Sequence, residues 1–161
     1  MTPADGAYPQ DVVLRALRVE DVPVLDVLER ELFGPAAWST QSLAEEIVGP
    51  GRWYVGAELG GTLVGYAGLW FDGEDAQVMT VGTSEQHQGR GIGRLLLDAL
   101  VGRARTVGAR VVLLEVRVDN EPALRLYTGA GFERLGRRRA YYQPGNVDAW
   151  TMRLDLQQAD V

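Results

Sequence analysis

One stretch constrains this chain more than any other. Gln88-Gly89-Arg90-Gly91-Ile92-Gly93-Arg94 joins a series of short apolar strands to a long amphipathic helix. Glycine lets a backbone turn tightly and lie close to a ligand. A helix N-terminus offers free N–H groups and a partial positive charge. Together they make a site for an anion, most naturally a phosphate or pyrophosphate. A dinucleotide-binding fingerprint would need glycine at position 94, which is arginine, and a β-α-β order around the loop. A tight turn that holds no ligand is the plain alternative, and the loop alone leaves it open.

The segments before the loop are short. Val12–Leu17 is a strand, and Asp21–Phe33 carries Val22, Leu25, Val27, Leu28 and Leu32 at helical spacing until Gly34-Pro35 stops it. Ser39 or Thr40 caps a second helix with Leu43, Ala44 and Ile47, closed by Gly49-Pro50-Gly51. Trp53–Leu59 and Thr62–Phe71 read as strands joined by the two-residue turn Gly60-Gly61. Ala76–Val81 follows after Asp72-Gly73-Glu74, completing an antiparallel meander.

After the loop, Gly91–Val107 places Ile92, Leu95, Leu96, Ala99, Leu100 and Ala104 on one stripe. Val111–Val116 is a near-continuous apolar strand, the pattern of burial on both faces. Asn120–Ala130 is a short helix capped by Asn120, and Phe132–Tyr142 and Asp148–Leu156 form a last antiparallel pair around Pro144-Gly145-Asn146. The order predicts an α+β fold: one mixed, mostly antiparallel sheet of about seven strands flanked by about four helices. Residues 11–157 are expected to form one domain, with Met1–Gln10 a short disordered leader.

Composition narrows the chemistry. The 161 residues include no cysteine and no lysine; all 16 basic residues are arginine, and His87 is the one histidine. That excludes disulfides, a thiolate nucleophile, a cysteine zinc site, a Schiff base, a Walker-type phosphate loop and a histidine-cluster metal site. The net charge of −6 resides in residues 1–60, which hold ten acids and four arginines; the remainder holds twelve of each. Such a chain does not suit general nucleic-acid binding, whereas a local acidic surface suits a basic partner. No apolar run approaches the roughly 18 residues of a membrane span. Met1–Gln10 lacks the features of a signal peptide, so the cytoplasm is the expected location.

Gln88-x-x-Gly91-x-Gly93 resembles the pyrophosphate-binding loop of the GNAT superfamily of N-acetyltransferases. The likeness continues in order through Leu114-Glu115-Val116-Arg117-x-x-Asn120, Ala123-x-x-Leu126-Tyr127 and Gly131-Phe132. Arg137-Arg138-Arg139-x-Tyr141-Tyr142, Asp148-Ala149-x-x-Met152 and Trp38-Ser39 resemble the RimI-type branch, whose members acetylate the N-terminal alanine of a small-subunit ribosomal protein (number eighteen). The resemblance spans roughly residues 12–155. It implies the GNAT (acyl-CoA N-acyltransferase) fold, acetyl-CoA as acetyl donor and no metal. The departure is Ser84-Glu85, where many members have Asp-Pro.

The resemblance also implies roles, each with a plainer counterpart. Glu115 would be the base that deprotonates the acceptor ammonium, directly or through a water; alternatively it is ion-paired with an arginine such as Arg117. Tyr127 would protonate the departing thiolate, or be a core aromatic. Asn120 would bond the cofactor while also capping its helix. Val81, Gly82 and Thr83 would pair with the pantetheine arm through their backbone. Gln88, Gly89, Arg90, Gly91, Ile92, Gly93 and Arg94 would hold the pyrophosphate. Trp38, Tyr141 and Tyr142 would line the acceptor groove, Trp38 alternatively packing helices. Arg137–Arg139 reads as a solvated edge or as partners for local acids, not as a nucleic-acid site.

These implications favour a monomer or weak dimer that acetylates a protein N-terminus, on a basic ribosomal protein. A GNAT enzyme for a small amine and a non-catalytic acyl-CoA-binding module are the alternatives. The pairing of Glu115 with Tyr127 argues against the module.

Overall fold

The computed structural model describes residues 11–157. The expected leader, Met1–Gln10, lies outside them. The elements follow the expected order: β1 Val12–Ala16, α1 Val22–Phe33, α2 Thr40–Val48, β2 Arg52–Leu59, β3 Thr62–Phe71, β4 Ala76–Thr83, α3 Ile92–Thr106, β5 Val111–Arg117, α4 Glu121–Gly129, β6 Glu133–Tyr142 and β7 Val147–Asp155. The strands form a single sheet in the order β1-β2-β3-β4-β5-β7-β6. Every neighbouring pair is antiparallel except β4 and β5.

Local chemistry explains the main turns. Gly60 and Gly61 both have positive φ, 59° and 83°, which a two-residue hairpin of the primed type requires. Ser39 caps α2 by accepting the Ser42 N–H at 3.1 Å, and Asn120 caps α4 by accepting the Ala123 N–H at 3.2 Å.

The sheet is packed on both faces. Adjacent residues of β3 divide between two apolar clusters: Ala67 and Leu69 join one with α3 and α4, while Tyr66 joins the other with α1 and α2. The buried stripe of α3 is Ile92, Leu96, Leu97, Leu100 and Ala104; Leu95 and Ala99 lie half-buried at its margins. β5 departs from expectation. Val112, Leu114 and Val116 are buried, but Val111, Leu113, Glu115 and Arg117 are only partly so. One face of β5 meets the α3–α4 core. The other lies outside the α1–α2 cluster and carries Val111, Leu113, Glu115 and Arg117. Among the described residues no helix is long and apolar enough to cross a membrane.

Candidate active site

The site starts from a break in the sheet. β4 and β5 pair only at Ala76 with Val112 and Gln77 with Leu113. Beyond those residues the strands part, so β4 from Val78 to Thr83 keeps β3 on one side and has no strand on the other. A freed strand edge presents N–H and C=O groups ready for an extended ligand. Val81, Gly82 and Thr83 lie on this segment, which runs two residues past the expected end of the strand. The β3–β4 register also skips Met79, between Gly68 opposite Thr80 and Leu69 opposite Val78. This bulge bends β4 and re-aims its backbone beside the opening. Only the register reveals it; no residue in the sequence signals it.

The glycine loop follows at the wide end of the opening. Gly89 and Gly91 have φ of 77° and 85°, in the left-handed region that glycine enters without strain. Gly91 opens α3, and no side chain caps that helix, unlike α2 and α4. The first-turn N–H groups of Ile92, Gly93 and Arg94 are therefore free for an anion. Gln88 is exposed, its Nε2 donating to the Thr83 carbonyl at 3.0 Å. Arg90 is exposed. Arg94 bonds Asp98 at 2.9 Å and the Gly129 carbonyl at 3.4 Å, spanning α3 and α4. His87 makes a 2.6 Å hydrogen bond with Ser84 through Nδ1, inside a 3-10 turn before the loop.

Across the opening, Glu115 stands on the half-covered face of β5. Its side chain is 13% exposed. The Thr151 hydroxyl, directly opposite on β7, donates to Oε2 at 2.5 Å. The guanidinium of Arg138 lies 3.5 Å from Oε1. The ion pair with an arginine expected as the plainer alternative is therefore present, but with Arg138; Arg117, the arginine suggested from the sequence, is taken by Asp119 through bonds of 3.0 and 3.1 Å. Neither Thr151 nor Arg138 was legible as a neighbour of Glu115, because both arrive through strand register.

Tyr142 links the other groups. Its hydroxyl donates to the Glu115 carbonyl at 3.1 Å. Burial first, then the neighbouring Tyr141 and the charge of Glu115, push its phenol up to about 12. Tyr127, on α4, is 8% exposed and packs edge-on against Phe132 at 5.9 Å. Burial pushes its phenol well above the usual tyrosine range, with Tyr142 adding to the effect. Tyr127 thus keeps its proton at neutral pH. Tyr141 is 40% exposed, meets Tyr142 edge-on at 4.9 Å and lies under the Arg138 guanidinium at 4.4 Å.

Over β2 to β4 lie α1, the turn before α2, and α2. Trp38 packs partly against the α1–α2 cluster. Its backbone N–H donates to Glu29 at 2.8 Å, and the Tyr66 hydroxyl donates to the other oxygen of the same carboxylate. Glu29, buried at 2% exposure, is a group the sequence reading missed. Desolvation raises its pKa, opposed by the Trp38 N–H and assisted by Asp26. A glutamate on the apolar side of α1 was its one signal. Among the described residues no cluster of three or more histidines and acids is arranged to hold a metal.

Comparisons with known proteins agree with this geometry. Residues 22–132 match the acetyltransferase (GNAT) family. The N-alpha-acetyltransferase RimI of Mycobacterium tuberculosis is 44% identical over 154 residues, spanning 92% of this chain and 96% of that one. The crystal structure of the ribosomal-protein-S18-alanine N-acetyltransferase from Escherichia coli shares the fold with a TM-score of 0.83 at 25% identity, over 90% of this chain and 94% of that one. Arabidopsis thaliana NAA60 in complex with acetyl-CoA shares it with a TM-score of 0.80 at 20% identity, over 91% and 99% of the two chains.

Proposed function

The chain belongs to the acetyltransferase (GNAT) family, and from that premise we propose that it moves the acetyl group of acetyl-CoA onto the N-terminal α-amine of a protein. The acceptor this reading favours is the N-terminal alanine of the small-subunit ribosomal protein S18, the substrate class in the E. coli neighbour's name. The acidic first 60 residues suit a basic acceptor of this kind. The cytoplasm, where ribosomal proteins are made, is the corresponding location.

The observation that carries the reading is the parting of β4 from β5, with the glycine loop at its wide end and Glu115 beside it. Acetyl-CoA, when bound, supplies an acetyl group activated as a thioester. The uncapped N–H groups of α3 and the two left-handed glycines suit its pyrophosphate. The free edge at Val81–Thr83 suits its amide-bearing arm, whose bonds would resemble those of an added strand. Asn120 spends its side-chain oxygen on the cap and retains amide N–H donors for the ligand.

Glu115 takes a proton from the acceptor ammonium, directly or through a water, and Thr151 fixes the rotamer in which it does so. The freed amine bonds to the acetyl carbon as the carbon–sulfur bond breaks. Tyr127 gives its proton to the departing sulfur, and the second proton that the nitrogen loses as the amide forms returns to Tyr127 through solvent, leaving an amide, a free thiol and a neutral phenol. Backbone N–H groups at the β4 bulge polarise the carbonyl during attack. Trp38, Tyr141 and Tyr142 confine the acceptor from its two sides.

The test is an acceptor panel with acetyl-CoA, read by release of free thiol: peptides beginning with alanine, serine or methionine, free amino acids and polyamines. Peptides beginning with alanine should react fastest. Reaction confined to the small amines would replace the protein acceptor with a metabolite. A rise in melting temperature with acetyl-CoA but no turnover would favour a binding module.

A further inference from the structure

Asp148 has no part in the transfer just described, yet both of its carboxylate oxygens are engaged. Oδ1 accepts the Ala140 N–H at 2.8 Å, and Oδ2 accepts Arg137 Nε at 2.7 Å. Its backbone carbonyl accepts the Val118 N–H at 3.0 Å, just past the end of β5. The Ala140 N–H above all, and Arg137 next, hold this carboxyl below the usual carboxylate range, so it is ionised at neutral pH.

What Asp148 grips is an irregular piece of β6. The β6–β7 register jumps from Arg138 opposite Ala149 to Tyr142 opposite Val147. Three residues of β6 therefore oppose Asp148 alone. Ala140, in their middle, has φ of 51°, which side-chain-bearing residues rarely adopt. Such a conformation persists only where its surroundings impose it. Its flanks reach Glu115. The bulge delivers the Tyr142 hydroxyl to the Glu115 carbonyl, turns Tyr141 under Arg138 and leaves Arg138 3.5 Å from the Glu115 carboxylate.

We propose that Asp148 is a positioning residue that sets the acceptor wall: by gripping Ala140 and Arg137 it locks the β6 bulge in the shape that stands Tyr141 and Tyr142 beside Glu115. The proposal rests on the acceptor groove assigned above. It predicts a selective effect. Asp148→Ala frees the bulge and raises the acceptor KM about tenfold, while kcat at saturating acceptor and the Kd for acetyl-CoA stay within about threefold. Asp148→Asn retains an oxygen for the Ala140 N–H and restores most of the acceptor affinity.

The assay uses whichever amine of the panel the wild-type enzyme acetylates fastest. A small-amine winner would overturn the peptide reading while still allowing the Asp148 effect to be measured. Amide hydrogen exchange provides a readout that needs no turnover: the Ala140 N–H should be protected in the wild type and in Asp148→Asn, and fast in Asp148→Ala. An unchanged acceptor KM in Asp148→Ala would overturn the proposal. So would a parallel loss of acetyl-CoA affinity and melting temperature, which marks plain destabilisation. Should Asp148→Ala not fold, fast exchange at Ala140 in the wild type would overturn it equally.

Discussion

The hydroxyl of Tyr142, on edge strand β6, donates to the backbone carbonyl of Glu115 on β5 at 3.1 Å, reaching across the intervening β7. The outer hairpin is thereby tied to the residue expected to do the chemistry. Tyr142→Phe removes one hydrogen bond, worth about 1 kcal/mol, and should lower kcat/KM about fivefold. The pH dependence of stability follows as well. The folded phenol titrates at about 12, above the unfolded value near 10. Its contribution is complete below pH 10 and is lost as the pH rises toward 12. Urea unfolding across that range should show a shallower decline in the phenylalanine variant.

Glu115→Gln keeps the shape and the Thr151 contact but cannot take a proton. It should lower kcat at neutral pH by about 100- to 10,000-fold, with acetyl-CoA binding by calorimetry nearly unchanged. Loss of binding and turnover together would make Glu115 structural. Tyr127→Phe should likewise spare binding and lower kcat, because the buried phenol keeps its proton for the leaving sulfur.

Gly91 stands at φ 85° where α3 begins. Gly91→Ala forces an L side chain into the left-handed region at a cost of roughly 1–2 kcal/mol. Chemical unfolding should register that loss, and acetyl-CoA titration should show weaker binding as the uncapped N–H groups shift. Unaltered acetyl-CoA affinity would return the loop to a simple turn.

Glu29 accepts the Tyr66 hydroxyl and the Trp38 N–H within the α1–α2 core. Glu29→Ala leaves both donors unpaired and should cost about 2–4 kcal/mol in chemical denaturation. Because its folded pKa is raised, the contribution of Glu29 is complete below the unfolded carboxyl pKa and fades as pH rises through the folded value. Glu29→Gln abolishes that titration. The stability of the wild type relative to this variant should therefore fall as pH is raised above the unfolded carboxyl pKa.

Features written in neighbouring residues were legible. Gly60-Gly61 closes the β2–β3 hairpin as read, Ser39 caps α2, Asn120 caps α4, and α3 buries most of its expected stripe. Features created by distant pairing were not. The parting of β4 from β5, the bulge at Met79 and the Thr151 contact to Glu115 all depend on register between strands far apart in sequence. Arg117 shows the limit from the other side: Asp119, two residues away, takes it before Glu115 can. The apolar run of β5 suggested two buried faces, but α1 and α2 cover β2 to β4 and leave Val111, Leu113, Glu115 and Arg117 on the other face of β5 only partly buried.

Tandem mass spectrometry of one product peptide reads which nitrogen receives the acetyl group. The acceptor begins with a free alanine and carries an internal lysine; the enzyme itself has no lysine to compete. Acetylation on the alanine α-nitrogen, lost in Glu115→Gln, is the predicted result. Acetyl groups on the lysine ε-nitrogen instead would rule out the N-terminal α-amine as acceptor, and equal α-nitrogen labelling by Glu115→Gln would rule out Glu115 as the base.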